Sequence, residues 1–319
     1  MDTTTLTADG LPAVVSIREV GLRDGLQILP RTVPTATKLD WLRQQHAAGA
    51  RDFEVGSFVP ARLMPQLADT AEVLAFAKTL PGVTATVLVP NLKGAERAIA
   101  EQADAMLLPL SASHEHSLAN LRRTPDEVLA DIARIRAARD AAGSRTRLEV
   151  GISTAFGCTI QGEVKVSEVI RLVQGALDAG VDAVGLADTV GYADPAMVTR
   201  VFEQALRVAG DRLHTAHFHD TRGLGLANCY AALRLGIRRF DACLGGIGGC
   251  PHAPGASGNV STEDLAYMLA SMGVQTGLDF DRLVALRGKL AGWLEGEQLH
   301  GTLWRAGLPK TMRPQGVPA

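Results

Sequence analysis

The stretch His217-Phe218-His219-Asp220 holds two imidazoles and an acid. It follows an apolar, strand-like run, Leu213 to Ala216. Residues two apart on a strand point to the same face. His217 and His219 therefore project together, one pleat apart, while Phe218 packs the other way. Two imidazoles on one rigid face at a strand end can hold a divalent metal. The plainer alternative is a pair of histidines that only hydrogen-bond. The rest of the chain decides between them.

Further polar groups fall where other strands end. After the first predicted strand come Arg23, Asp24 and Gln27; at the second are Glu54 and Ser57; at the sixth, Asp188 and Thr189. The eighth runs into a glycine-rich loop, Gly245 to Cys250, then Gly255-Ala256-Ser257-Gly258-Asn259. Asp24, His217, His219 and Asn259 together offer a carboxylate, two imidazoles and an amide oxygen. That donor set suits Mg²⁺ or Mn²⁺, with Zn²⁺ a poorer fit. Arg23 beside Asp24 can neutralise a developing oxyanion, or the two form a surface pair at a loop. Asp220 points off the shared face, either behind the ligands or as a helix cap. Cys250 rides on a loop free to move over a cleft, where a thiol acts as general acid or nucleophile. Its bland reading is an incidental free cysteine.

The elements that must position these groups alternate. Val14 to Val20 reads as a strand ending at Gly21, and Thr35 to Ala48 as a helix closed by Gly49. A short strand at Phe53 to Val55 is followed by a helix from Pro65 to Thr79, stopped by Pro81-Gly82. Strands follow at 83–89, 105–110, 147–153, 183–187, 213–219 and 240–244, with helices between. Thr124-Pro125-Asp126-Glu127 predicts a helix start, with a capping threonine, a proline in the first turn and a glutamate to complete the box. Asp194-Pro195 repeats the cap-then-proline logic. Eight strands, each followed by a helix, predict a parallel sheet, and their span of roughly 260 residues matches a closed (β/α)₈ TIM barrel, of class α/β. An open doubly wound sheet is the alternative. The pattern sets a flexible tail at 1–12, the barrel at 13–275, and a C-terminal helical extension and tail at 276–319.

Bulk properties narrow the function. The chain has 319 residues, is 46% hydrophobic and carries a net charge of −2. No basic stripe with interleaved aromatics occurs, which argues against nucleic acid as a partner. No apolar run is long enough to span a bilayer, and the first ten residues hold no secretory signal. The four cysteines, Cys158, Cys229, Cys243 and Cys250, form no Cys-x-x-Cys pair. A reducing cytoplasm is the expected setting.

Val20-Gly21-Leu22-Arg23-Asp24-Gly25-Leu26-Gln27, His217-Phe218-His219-Asp220-Thr221, Gly248-Gly249-Cys250-Pro251 with Gly255 to Asn259, and Thr262-Glu263-Asp264-Leu265 resemble the 3-hydroxy-3-methylglutaryl-CoA lyase family. Glu54, Ser57-Phe58 and Asp188-Thr189 also fit. The motifs fall in order across nearly the whole barrel. The resemblance implies a metallolyase that uses Mg²⁺ or Mn²⁺ bound by Asp24, His217, His219 and Asn259. It implies an acyl-CoA thioester as partner and a homo-oligomer. Arg23 carries over as the residue that stabilises enolate charge, and Cys250 as the mobile-loop thiol. His217 and Asp24 are implied proton-relay partners, Glu54 a further catalytic residue, and Gln27, Ser57, Asp188 and Thr189 line the substrate. The implied reaction is a retro-Claisen cleavage to acetyl-CoA and acetoacetate.

The chain departs from that pattern at Leu22, where proline is usual, at Ile28-Leu29-Pro30, at His252 and Pro254, and at Arg222-Gly223-Leu224. These changes touch the acyl pocket and lid rather than the metal ligands. They leave open a related 3-hydroxyacyl-CoA, such as a citramalyl or longer branched thioester. A condensing enzyme or aldolase of the same superfamily, and a barrel that only binds a CoA ester, are the other readings.

Overall fold

The structure is a computed structural model, described here for residues 5–249, 258–310 and 312. Eight parallel strands close into a barrel. They are β1 (Ser16–Glu19), β2 (Asp52–Ser57), β3 (Thr84–Leu88), β4 (Ala105–Ser111), β5 (Arg147–Ser153), β6 (Ala183–Asp188), β7 (Leu213–Phe218) and β8 (Arg239–Ala242). Closure is made by β1 on β8, with Arg18 opposite Asp241. That pairing overturns the open-sheet alternative. Outward-facing residues such as Ile152, Leu186, Phe218 and Phe240 are buried in one continuous apolar shell with the helices.

The capping signals act as expected. Thr124 and Glu127 form a reciprocal box at the helix Pro125–Ala141. Asp194 accepts the Met197 N–H, and Ser261 accepts that of Asp264. Two expectations shift, and one further helix appears. The first strand stops at Glu19, because the chain then coils into one tight turn, Gly21–Gly25. Asp24 N and Gly25 N both bond Val20 O there, the mark of a π-type turn, which frequently sits at functional sites. Gly21 permits the coil: a Cβ there would lie 2.5 Å from the Trp41 ring. The helix expected over Pro65–Thr79 splits into a turn, Pro65–Leu67, and a helix, Thr70–Ala77. The Thr70 hydroxyl reaches Leu67 O and Ser57 O and breaks the run. An unexpected helix, His114–Leu121, follows β4, capped by Ser113. Its sequence carries no apolar period to announce it. Near the other end, Phe280–Trp293 is helical as predicted and packs beside the first helix, Thr35–Ala47.

The lower part of the barrel axis is charged. Arg18 chelates Asp241 through Nε and Nη2, at 2.7 and 2.9 Å, and reaches Glu149 through Nη1. Arg239 joins Glu149 to Asp52. Burial would raise the Glu149 pKa, but the Arg239 and Arg18 guanidinium groups outweigh it and hold the carboxyl at about 2.

Candidate active site

The tight turn after β1 and the end of β7 bring three ligand-type residues together. Donor atoms of Asp24, His217 and His219 lie within 4.8 Å of one another. The imidazole centroids are 5.0 Å apart, and His219 Nε2 stands 3.6 Å from Asp24 Oδ2. Asn259 arrives from the far side of the glycine-rich loop. Its main chain pairs with His219, while Val260 N bonds Phe218 O at 3.1 Å. Its amide Nδ2 donates to Asp24 Oδ2 at 2.6 Å and to Ile247 O at 3.0 Å. Gly248, at φ +131°, packs so close that any side chain would strike the Asn259 amide.

Buried polar atoms are almost always hydrogen-bonded. Here both ring nitrogens of His219 and Oδ1 of Asn259 are buried with no hydrogen-bond partner. One nitrogen of a neutral His219 and Asn259 Oδ1 each have a lone pair to offer beside the Asp24 carboxylate. A divalent cation would take both, leaving only the His219 N–H without a partner, so the donor set fits the metal that the resemblance implies.

The two histidines are held differently. His217 Nδ1 lies 3.0 Å from Asp241 Oδ2. Burial would raise the Asp241 pKa, but Arg18 overrides it and keeps the carboxyl well below the usual range. Asp241 is therefore an anion, and the proton of a neutral His217 sits on Nδ1. That leaves Nε2 free to take a ligand, the usual arrangement behind a metal-binding histidine. Burial would lower the His217 pKa, and the Asp241 carboxylate outweighs it in the upward direction. Asp241 was not legible as a site residue. Its one signal is an acid between apolar neighbours, in register with His217 on the adjacent strand. The variant Asp241→Asn keeps the shape and removes the charge. It should weaken Mn²⁺ binding roughly 10- to 100-fold, as loss of such a partner usually does. Titration calorimetry checks this; unchanged affinity would show that Asp241 does not set the ring.

Arg23 is no surface pair. It is buried, with Nη1 2.6 Å from Asp24 Oδ1 and Nε 2.7 Å from Glu54 Oε1. Gln27 Nε2 adds a 2.8 Å bond to the same Asp24 oxygen. Burial pushes the Glu54 carboxyl up, more than Arg23 pulls it down. Burial also acts to raise Asp24, but Arg23 and the two imidazoles win and place it well below the carboxylate range.

A cavity of about 760 Å³ opens above these groups. Arg23, Asp24, Gln27, Thr189, His217 and His219 line it, and the exposed Arg62 and Arg122 stand among its outer residues. Two expected substrate contacts are not on its wall. Ser57 directs its hydroxyl to Leu88 O. Asp188 accepts the N–H groups of Tyr192 and Ala193 at 2.9 and 3.0 Å, with burial raising its pKa. Asp220 takes its capping alternative and accepts the Gly225 N–H at 2.7 Å. Cys158, Cys229 and Cys243 are buried and unpaired. Cys250 lies outside the described residues, as do His252 and Pro254.

Comparison with known proteins supports the same picture. A family model described as HMGL-like matches residues 14–289. The hydroxymethylglutaryl-CoA lyase of Bacillus subtilis is 38% identical over 284 residues, covering 89% of this chain and 93% of that protein. The (R)-citramalyl-CoA lyase of Chloroflexus aurantiacus is 38% identical over 303 residues, covering 92% and 95%. Among solved structures, an HMG-CoA lyase from Acinetobacter baumannii, in complex with coenzyme A and 3-methylmalate, superposes with a TM-score of 0.88 at 40% identity, covering 96% of this chain and 98% of that one.

Proposed function

We infer the reaction from one premise: the chain belongs to the HMGL-like family. It is a carbon–carbon lyase, and its substrate is 3-hydroxy-3-methylglutaryl-CoA, cleaved to acetyl-CoA and acetoacetate. The observation that carries this reading is the meeting of unpartnered His219 and Asn259 atoms with Asp24, directly beside a buried arginine.

Asp24, His217, His219 and Asn259 are the residues that would hold the metal, and Mg²⁺ or Mn²⁺ suits them best. When bound, it supplies Lewis acidity, lowering the pKa of the 3-hydroxyl and drawing charge from the substrate oxygens. Everything else is done by side chains. A nearby base of the site takes the 3-hydroxyl proton, C3 becomes the ketone carbon of acetoacetate, and the C2–C3 electron pair passes to C2 as the enolate of acetyl-CoA. Arg23 has Nε and Nη1 engaged by Glu54 and Asp24. Its Nη2 remains for the enolate oxygen, a preorganised cation in a dry site. Gln27 and Thr189, on the cavity wall, contact the acyl portion. Ser57 and Asp188 fix the loops behind it. Asp24 and His217 are the proton-relay partners, and the thiol of Cys250 delivers the proton to C2.

A second reading is favoured by the equally similar citramalyl-CoA lyase. The same bond cleavage on citramalyl-CoA gives pyruvate and acetyl-CoA. Unpaired described cysteines fit the cytoplasm, and no helix among the described residues is long and apolar enough to cross a membrane. We further propose that the protein works as a homo-oligomer.

The test is to incubate the protein and Mn²⁺ with each thioester and identify products by mass spectrometry. Equimolar acetyl-CoA and acetoacetate should form from 3-hydroxy-3-methylglutaryl-CoA, stop with EDTA and return with excess Mn²⁺. Intact thioester in the presence of Mn²⁺ would sink the assignment; pyruvate as the faster product would select the second reading.

A further inference from the structure

Barrels of this kind usually fill their axis with layers of bulky side chains. This one is partly hollow. On β5, β6 and β7 the inward-pointing residues Gly151, Ser153, Gly185, Ala187 and His217 are partly accessible, while Val150, Ile152, Leu186, Ala216 and Phe218 beside them are buried. The cavity follows β6 from Thr189 past its end down to Ala183, its first residue. At about 3.3 Å per residue, Ala183 to Ala187 alone spans roughly 13 Å of strand.

The gap lies one layer below the candidate metal ligands. Ala187 is in register with His217, and Gly185 with Thr215. Gly151 is the register partner of Gly185. Two side chains are thus missing side by side, beneath His217, with the open space on the Gly151 side, since a Cβ at Gly185 would come within 3.1 Å of Thr215 O and 3.2 Å of Thr215 Cβ. Neither glycine has a left-handed backbone that would demand glycine. At Gly151 a Cβ would meet only Leu107 Cδ1, at 3.5 Å, an ordinary contact. Leu107, Pro109 and Ala187 complete an apolar wall. Directly below Gly151 on β5 stands Glu149, and Arg18 and Asp241 face it from β1 and β8, with Arg18 paired to both acids. With Arg239 and Asp52 the cluster holds two guanidinium groups against three carboxylates, so a further carboxylate is unwelcome there.

We propose that Gly151 and Gly185 form an acyl pouch that admits an uncharged alkyl group on C3, so that the protein cleaves 3-hydroxyacyl-CoA thioesters whose C3 alkyl group is larger than methyl. The inference rests on the lyase reading and names its substrate class. The step is unchanged: the C2–C3 bond breaks, its electrons go to C2, the hydroxyl proton leaves, and the larger group departs in the ketone.

The test compares 3-hydroxy-3-methylglutaryl-CoA with its 3-ethyl and 3-propyl homologues, using the wild type, Gly151→Ala and Gly151→Val, each with Mn²⁺. The wild type should cleave all three with kcat/KM within about tenfold. One methylene that clashes costs about tenfold or more, so the propyl-to-methyl ratio should fall by at least that factor in Gly151→Val, with Gly151→Ala between. A wild type that already rejects the ethyl homologue while cleaving the methyl compound overturns the pouch, and so does an unchanged ratio in both variants. If none of the three is cleaved, the 3-hydroxy-3-methylglutaryl-CoA reading fails and the pouch proposal fails with it.

Discussion

His219→Ala should lose both its divalent metal and its turnover, while the metal-free protein stays as stable as the wild type or gains stability. The second half of that expectation comes from burial. His219 is 3% exposed and neither ring nitrogen has a hydrogen-bond partner. An unpaired polar group in that position costs about 1–3 kcal/mol, which offsets much of the packing lost with the ring. Metal binding reverses the balance in the wild type. At a hundred times its dissociation constant, Mn²⁺ should add ~2.7 kcal/mol by mass action, read as a Tm higher by several degrees. The variant should show no such shift. Thermal unfolding with and without Mn²⁺ checks both parts; a variant that keeps the shift would remove His219 from the metal.

Arg23→Gln should fold poorly or titrate abnormally, and should cleave thioester at least 10²-fold more slowly. The buried guanidinium sits between Asp24 and Glu54, at 2.6 and 2.7 Å. Removing one partner of a buried pair costs about 3–5 kcal/mol, because the remaining charge is stranded. Here two carboxylates would be stranded. Loss of a single oxyanion donor alone is worth about 10²–10³ in kcat. Arg23→Lys restores charge but offers one compact ammonium where Arg23 now bridges two carboxylates, so it should recover stability ahead of rate. Steady-state kinetics on both variants, with Tm as the control, separate the terms. Wild-type kcat in Arg23→Gln would show that the arginine only holds the turn together.

The alternation of apolar runs and capping residues made the barrel legible, because each cap acts locally; Thr124 and Glu127 show this plainly. The pair His217 and His219 was legible because strand periodicity is local too. The tight turn at Gly21–Gly25 was not, since it depends on Trp41 of the following helix packing against Gly21, a tertiary contact that local pattern does not show. It is this turn that buries Arg23 and Asp24, and so a pair that reads as loop surface becomes the floor of the site. Asp241 and Arg18 were hidden for a related reason. Charged residues in strands gain meaning only from their neighbours across the sheet, and β8 meets β1 through contacts more than two hundred residues apart in the chain. The absence of bulk at Gly151 and Gly185 is likewise a property of register between strands, not of either segment alone.

Pulsed EPR on protein loaded with one equivalent of Mn²⁺ tests the convergence of Asp24, His217, His219 and Asn259 most directly, because coupling to ¹⁴N reports imidazole ligands. Two histidine nitrogens should couple to the ion in the wild type, falling to one in His219→Ala if any ion remains bound. Catalytically active, Mn²⁺-loaded protein with no nitrogen coupling would contradict the account.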